Sequence, residues 1–376
     1  MLAGQGFAAK FQDDSMRLQS AAYAPHMLNL IIACILAAVL GFAAHRASIC
    51  TVRAVAEFTH SGTGYMFASI VKSALWVFAI TVPVFLLLPQ TATGLAGWQL
   101  TLTAMFGGLL FGIGAGVNGA CAYATMARMV DGEIGMLLTV FGFVLGVLIF
   151  VALLGTGTIV RPAPAPSHIP GVMAVAPYVV AVLLMLVVYE FIRIWRSREA
   201  GSTLRALVCA PAYRLSTAAL LMGVAGGLIF LIFGSAGYTT TFQQVIETHA
   251  GTRPMPAYGR WFVVGAVLFG MFASTWQRGS FRIDWRPRWS WLRNIFGGIL
   301  MGLGCALLPG GNDALILYGI PGLSPHALPA YAALLLGIFV ALLTMRAVFS
   351  VEMRVACRND MYIADASADL TKREKP

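Results

Sequence analysis

The feature that most constrains this chain is a run of 55 consecutive residues, 73–127, without a formally charged side chain. Further uncharged windows lie at 134–160, 162–189, 215–246, 294–312 and 314–345. A helix needs about 20 apolar residues to cross a bilayer, so the first run can hold two such helices and several others can hold one. Only 11% of the residues are charged, against about 25% in soluble domains. The sequence therefore predicts an all-α, polytopic membrane protein.

Nine membrane-spanning helices are predicted from the apolar stretches. They cover 28–44, 66–89, 101–117, 134–155, 172–192, 215–234, 259–276, 294–309 and 327–346. The first and eighth are short, and the seventh carries Arg260 at its edge. The segment 1–27 lacks the compact apolar run and small-residue cleavage site of a signal peptide, so we expect it to form an N-terminal tail.

The basic side chains collect on one side of these nine spans. Alternating the spans places 19 of the 25 Lys and Arg residues on one side and five on the other, with Lys72 inside the second span. Loops 193–214 and 277–293 carry five arginines each. Because Lys and Arg are retained in cytoplasmic loops, the sequence predicts a cytoplasmic C-terminus and an N-terminus outside. This bias accounts for the net charge of +10, and we expect no binding to nucleic acid.

Two glycine-rich segments, one in each half of the chain, resemble each other. Segment 107–124 reads GGLLFGIGAGVNGACAYA and segment 297–314 reads GGILMGLGCALLPGGNDA, with six identical positions. A weaker match at a shift of 193 places 41–55 on 234–248. With span 172–192 between the halves, the pattern predicts an inverted repeat, as in secondary transporters that bind substrate at the repeat interface. The alternative is that glycine-rich helices look alike because small residues pack helices closely.

The predicted organisation therefore has five parts. They are an outside tail at 1–27, a first membrane repeat at 28–156, a linking span with a basic loop at 157–214, a second, inverted repeat at 215–346 and a cytoplasmic tail at 347–376.

Four stretches after the first and third span of each half are too polar or too short to cross a membrane. They are 47–60, 118–131, 239–250 and 311–320. We expect each to form a short half-helix that re-enters the membrane, because non-helical backbone at that depth is tolerated where it lines a polar cavity. The free N–H groups at the start of such a helix favour an anion. The alternative is an ordinary surface loop.

Candidate substrate-binding residues lie near the starts of these stretches. Cys50 and Cys121 occupy related positions and are expected to meet at one depth as neutral thiols, although cysteine is also a common small buried hydrophobe. Asp313 is a candidate acid at membrane depth or a helix cap. Arg53 and Arg46 flank Cys50 and either attract anions or follow the cytoplasmic bias. The full candidate set is Cys50, Cys121, Asn118, Gly119, Gly311, Asn312, Asp313 and Arg53.

These residues resemble the YeeE/YedE sulfur-transport family of thiosulfate importers. The resemblance rests on HRASICTVRA at 45–54, GAGVNGACAYA at 114–124 and GLGCALLPGGNDALILYGIPGL at 302–323. It implies an inner-membrane protein of nine spans with short broken helices, in which central cysteines pass thiosulfate along by S–H contacts to its sulfur. Two of the family's three cysteines fall on Cys50 and Cys121. The third falls on Gly311, and a Gly311→Cys variant is therefore expected to be tolerated and to bind thiosulfate somewhat more tightly.

The leading hypothesis is uptake of thiosulfate or a related sulfur-containing anion, without enzymatic activity. No nucleotide loop, haem pair or metal-ligand cluster occurs in the sequence, so no cofactor or metal is expected. The expected partners are the anion, membrane lipid and a separate cytoplasmic sulfur-carrier protein, which the resemblance implies. The alternative is a membrane sulfur-relay or sensing component that accepts sulfane sulfur on Cys50 or Cys121 and would need a reactive thiolate.

Overall fold

The computed structural model describes residues 27–87, 96–166, 170–196, 208–256, 258–285 and 289–363. Segment 1–26 of the predicted N-terminal tail and segment 364–376 of the predicted C-terminal tail lie outside the described residues.

Nine long helices coincide with the nine predicted spans in the described part of the chain. They are α1 (27–46), α3 (Tyr65–Leu87), α4 (Leu102–Asn118), α6 (Gly135–Gly155), α7 (Pro170–Arg196), α8 (Leu215–Phe233), α10 (Tyr258–Arg278), α11 (Ser290–Leu307) and α13 (Ala327–Phe349). Seven helical segments, containing all of these except α7 and α10, are long and apolar enough to cross a membrane. The chain is therefore a multi-pass membrane protein, and the count of nine spans stays a prediction.

Each of the four stretches predicted as half-helices contains a short helix. These helices are α2 (Thr51–Ser61), α5 (Ala122–Val130), α9 (Tyr238–His249) and α12 (Asn312–Ala314). The last continues as a π-helical turn, Leu315–Gly319. Their helical character was expected from the capping residues before them, whereas their depth in the membrane stays a prediction.

Helices α4 and α11, which carry the two similar glycine-rich segments, pack directly against each other. A Cβ atom at Gly304 would lie 2.6 Å from the carbonyl oxygen of Gly107, and one at Gly297 would lie 2.7 Å from that of Gly114. Only glycine permits this approach of two helix backbones. The sequence match pairs Gly107 with Gly297 and Gly114 with Gly304. The contacts are thus reciprocal, as a two-fold relation between two halves requires.

The helix starts agree with one of the two sequence matches and disagree with the other. Helices α5 and α12 begin after Cys121 and Gly311, which the first match aligns with each other. Helices α2 and α9 begin after Cys50 and Gly237, whereas the weaker match aligns Cys50 with Gln243. The weaker match therefore does not align equivalent positions, because apolar residues recur in both segments without fixing where the helix begins.

Two small antiparallel sheets were not predicted. Strand β1 (Ala96–Trp98) pairs with β2 (Pro164–Pro166), and β3 (Ala356–Arg358) pairs with β4 (Met361–Ile363). Each strand is too short to give a readable alternation of apolar and polar side chains. The second sheet forms a hairpin in the segment after α13.

Candidate functional site

Cys50 and Cys121 are the residues that immediately precede α2 and α5. Both have extended backbone, and neither thiol makes a hydrogen bond to the helix it precedes. The backbone N–H of Cys121 donates to the Sγ of Cys50 at 3.5 Å, and both residues are 1% exposed. The structure thus brings together two residues from well-separated parts of the chain, as expected from the sequence.

The corresponding pair of short helices in the second half of the chain is joined by Thr239 and Asp313. The hydroxyl of Thr239 donates to Oδ1 of Asp313 and accepts the backbone N–H of Gly311 at 2.9 Å. The backbone N–H of Thr239 donates to Oδ2 of Asp313 at 3.3 Å. Asp313 thus binds the start of α9 and also interacts with the backbone of Ala314 in its own short helix.

A small cavity lies where the two halves meet. Cys50, Cys121, Asn312 and Asp313 are among its lining residues, and its volume is about 20 Å³. A cavity needs about 10–15 Å³ to hold one water molecule, so this space, which we call the thiol cavity, is closed around a water-sized volume. Asn312 also donates to the hydroxyl of Thr51 at 3.2 Å, which links α12 to α2. The structure therefore has the two thiols, an amide and a carboxyl group around one closed space.

A larger cavity of about 380 Å³, here called the vestibule, lies behind α12 and its π-helical turn. Leu315 and Tyr318 face the vestibule, whereas Ile316 and Leu317 face the thiol cavity. One short turn therefore forms the wall between the two spaces. A π-helical turn is often found at functional sites, and its movement would connect the two cavities.

The charge of the vestibule comes from two arginines. Arg253 and Arg260 both line it, and Arg260 donates to Gln244 at 3.1 Å. His326 also lines it, one residue before α13. Burial lowers the pKa of His326 to about 4, so its imidazole is neutral at pH 7. The vestibule thus presents guanidinium groups, which bind oxyanions well.

A third cavity of about 50 Å³, here called the basic cavity, lies on the other side of the thiols. Ile49 and Tyr123 line both it and the thiol cavity. Its cations include Arg53, Arg128 and Arg278. The guanidinium of Arg53 donates to a carbonyl just before α2 and lies over a tyrosine ring of the β3–β4 hairpin.

Asp131 is the acidic group of the basic cavity. Its Oδ1 accepts hydrogen bonds from Ser280 at 2.8 Å and Thr275 at 3.0 Å and lies 3.2 Å from Nε2 of His45. Burial alone would raise the pKa of this carboxyl group, but the hydrogen bonds and His45 hold it below its usual value of 3.8. Asp131 therefore stays ionised at neutral pH and fixes α1 and α10 beside the cavity.

Asn118 and Gly119 do not line the thiol cavity, although the sequence placed them with Cys121. The side chain of Asn118 is fully used in contacts, donating to Ala120 and Thr125 and accepting from Thr139 at 2.7 Å. Gly119 has a positive φ of 73° and is the residue that follows α4. Both border a separate cavity of about 310 Å³. Their contacts hold the sharp connection between α4 and α5, which positions Cys121.

Arg46 is buried and connects two helices. It is 2% exposed, its Nη1 donates to the carbonyl of Ala210 at 2.8 Å, and its Nε donates to Ser274 at 3.1 Å. Its guanidinium also contacts Gln277 and lies 4.8 Å from the ring centroid of Phe42. Because these groups occupy its donors, Arg46 ties α1 to α10 and does not line the basic cavity.

The structure corrects the expectation for Gly311→Cys. The φ of Gly311 is −97°, which any residue adopts. However, a Cβ atom there would lie 2.7 Å from the hydroxyl oxygen and 2.8 Å from the methyl carbon of Thr239. Thr239 is buried in a helix and branched at Cβ, so it has little freedom to move. The sequence could not show this, since Thr239 belongs to a distant segment of the chain.

We therefore expect Gly311→Cys to destabilise the protein by about 1–3 kcal/mol, the usual cost of overpacking, and to weaken thiosulfate binding. Gly311→Ala should do the same, because the clash arises at Cβ and not at sulfur. Gly265→Ala is the matched control, since a Cβ atom at Gly265 would meet nothing within 4 Å. Thermal unfolding of the three purified variants tests this, and a Gly311→Cys protein as stable as wild type would contradict it.

A buried charge cluster beside the vestibule was missed from the sequence. Glu247 is 0% exposed, and its Oε2 lies 2.5 Å from Arg161 and 3.4 Å from Arg253. Its Oε1 accepts from Gln243 at 2.7 Å, and Gln243 in turn accepts from Cys305. Two signals in the sequence could have indicated this cluster. Glu247 is an acid within a predicted half-helix, and Arg161 is the single arginine of the loop between α6 and α7. The buried thiol of Cys305 thus belongs to this cluster and not to the thiol cavity.

Among the described residues, no group of three His, Cys, Asp or Glu side chains could hold a metal ion. The arrangement instead has the vestibule and the basic cavity, both with arginines, and between them the two thiols at the starts of α2 and α5 and one π-helical wall. Weakly binding groups between two attractive mouths are a geometry for passing an anion.

The comparisons with known proteins identify a family. No curated protein matches the chain. A family model described as "Sulphur transport" matches residues 46–340, which include all four short helices and the lining of the vestibule. The resemblance seen in the three sequence motifs is thereby confirmed, and the chain belongs to the sulphur-transport (YeeE/YedE) family.

Proposed function

We propose that this membrane sulfur transporter takes up thiosulfate or a related sulfur-containing anion through the thiol cavity. The single observation that carries the proposal is the meeting of Cys50 and Cys121 at the starts of two short helices. The anion would enter the vestibule, pass the wall formed by the π-helical turn, contact the two thiols and leave through the basic cavity. The arginines of the vestibule and the basic cavity lie at the two ends of this path.

The physical logic is a weak site between two attractive ones. A neutral thiol is a weak hydrogen-bond donor, so it can contact the outer sulfur of thiosulfate without holding it tightly. Conduction requires that each site bind well enough for entry and weakly enough for release. The closed thiol cavity means that either the π-helical turn or the Ile49 segment must move during passage.

Uptake of radiolabelled thiosulfate by cells that lack other importers tests this function. We expect the chain to confer uptake that excess unlabelled thiosulfate suppresses. Sulfate, which lacks the outer sulfur, should compete more weakly. Absence of uptake at normal membrane abundance would contradict the proposal.

A sulfur relay is the second candidate, and two features of Cys50 favour it. Cys50 accepts the N–H of Cys121 and precedes α2, whose first turn includes Arg53. Both features stabilise a thiolate. A persulfide on Cys50, detected by mass spectrometry after exposure to thiosulfate, would support this alternative over simple passage. The carrier protein inferred from the family resemblance would be the receiving partner.

The proposed orientation in the inner membrane puts the basic loops and the C-terminal tail in the cytoplasm and the N-terminus outside. The proposed architecture is nine spans in two inverted halves, 28–156 and 215–346, with four re-entrant half-helices. The reciprocal contacts of α4 and α11 support that relation between the halves.

Single introduced cysteines test the orientation. In a Cys209→Ser background, which removes the exposed native cysteine, we expect Thr158→Cys to react with a membrane-impermeant maleimide in intact cells. Ile283→Cys, which lies in the arginine-rich loop and is 55% exposed, should react only after the cells are permeabilised. Labelling of Ile283→Cys in intact cells would reverse the proposed orientation.

A further inference from the structure

Asp313 is a buried carboxyl group that no cation balances in the described structure. It is 1% exposed, and its hydrogen bonds come from uncharged groups: the hydroxyl and N–H of Thr239 and the backbone of Asp313 and Ala314. The groups that face it from neighbouring elements are phenols, thiols and uncharged side chains: Tyr123, Tyr238, Tyr318, Cys121, Cys305, Thr51, Ser73 and Met222. An isolated buried carboxylate is costly unless it is paired or takes up a proton.

This carboxyl group shares the thiol cavity with Cys50 and Cys121. A dianion that enters that cavity would meet a carboxylate at close range in a medium of low dielectric constant, where like charges repel strongly. Protonation of Asp313 removes the repulsion. By linkage, an anion in the cavity therefore favours the protonated form of Asp313, and the protonated form favours the anion.

The two oxygens of Asp313 are not equivalent. The hydroxyl of Thr239 accepts the N–H of Gly311, so its single hydrogen is directed at Oδ1. That leaves Oδ1 as a permanent acceptor. Oδ2 makes the longer contact, 3.3 Å from the N–H of Thr239, so it is the oxygen better placed to take a proton.

The backbone of Gly237 lies close to both this oxygen and the hydroxyl of Thr240. A Cβ atom at Gly237 would lie 3.1 Å from Oδ2 of Asp313 and 3.2 Å from the hydroxyl oxygen of Thr240. Thr240 lines the vestibule, and its hydroxyl is buried without a hydrogen-bond partner in the described structure. A hydroxyl can accept one hydrogen bond and donate another, so Thr240 has the chemistry to relay a proton from the vestibule towards Oδ2.

We propose that Asp313 carries a proton together with each anion, which makes the protein a proton-coupled importer. This inference rests on the proposed transport function. The proton passes from the vestibule by way of Thr240 to Oδ2, the anion enters the thiol cavity, and both leave towards the basic cavity. No bond of the anion is made or broken and nothing is oxidised. The proton that Asp313 takes up from the vestibule side is released on the other side.

Purified protein in liposomes, with the membrane potential clamped by potassium and valinomycin, tests the coupling. For each coupled proton, a gradient of one pH unit changes the accumulation ratio about tenfold. We expect wild type to accumulate labelled thiosulfate when the vestibule side is acidic and to acidify the other compartment as it does so. Asp313→Asn, which cannot take the proton, should lose the response of accumulation to the gradient, measured relative to its own exchange of labelled for unlabelled thiosulfate at equal pH.

The control is Glu57→Gln. Glu57 is also 0% exposed but accepts the backbone N–H of Met66 at 2.8 Å and does not line the thiol cavity, so this variant should keep the gradient response. If Asp313→Asn does not fold, Asp313→Glu, which moves the carboxyl group, must shift the pH at which uptake is half-maximal.

The outcomes separate this inference from the function on which it rests. Failure of wild type to exchange thiosulfate would contradict the transport proposal itself. Exchange without any response to the pH gradient would overturn the coupling. A gradient response that persists in Asp313→Asn, or a pH dependence unchanged in Asp313→Glu, would overturn the role of Asp313.

Discussion

Replacing Cys121 by alanine should abolish or severely cut thiosulfate uptake while leaving the protein folded. The thiol of Cys121 lines the closed cavity between the vestibule and the basic cavity, and its own N–H binds the sulfur of Cys50. The substitution removes one sulfur atom and uncovers no charge, so it should cost only about 1 kcal/mol of stability. A large loss of uptake would therefore reflect the path of the anion and not unfolding.

Cys305→Ala is the matched control for this experiment. Cys305 is 0% exposed, like Cys121 it is a free thiol, and it does not line the thiol cavity. We expect this variant to retain most of the uptake at equal membrane abundance. Normal uptake by Cys121→Ala would make that residue a packing cysteine, and equal losses in both variants would show that the effect is not specific to the thiol cavity.

The arrangement of helices could be predicted because it depends on local composition. Apolar length placed the long helices, and small or capping residues marked the starts of the short ones. The pairing of Cys50 with Cys121 followed from their related positions before two such helices. Each of these signals is contained within one short stretch of sequence or in a comparison of two such stretches.

The parts that were missed depend on contacts between distant segments. The space beside Gly311 is filled by Thr239, and Arg46 is held by the carbonyl of Ala210 and the side chain of Ser274. Nothing in the neighbouring sequence of Gly311 or Arg46 indicates these partners. A polar residue near a candidate cysteine, such as the asparagine that ends α4, is a similar case. It can either face a ligand or satisfy the backbone, and only the structure distinguishes these roles.

The family resemblance supplied the cysteine positions but not the chemistry of the second half. Where the family places a third cysteine, this chain has Gly311, whose N–H binds Thr239 and thereby orients Asp313. In the proposed path the thiols therefore come from the first half of the chain, and the second half contributes a carboxyl group. This asymmetry is the reason why we expect a third thiol at Gly311 to be unfavourable.

Glu247→Ala should be the most destabilising of the substitutions considered. The carboxylate of Glu247, which lies in α9, is fully buried. It binds Arg161, which precedes β2, and Arg253, which follows α9, so it joins these three segments beside the vestibule. Removing one partner of a buried pair typically costs about 3–5 kcal/mol. We expect a loss near the lower end of that range, because the two arginine side chains are 28% and 23% exposed and can be hydrated.

Glu133→Ala provides the comparison for this prediction. Glu133 lies 2.6 Å from Arg128, but the two side chains are 40% and 30% exposed, and such surface pairs contribute about 0–1 kcal/mol. Denaturant unfolding of both variants in detergent, followed by tryptophan fluorescence, measures the difference. Equal effects would mean that burial of Glu247 contributes nothing, whereas a loss confined to Glu247→Ala would show that this buried cluster stabilises the fold beside the vestibule.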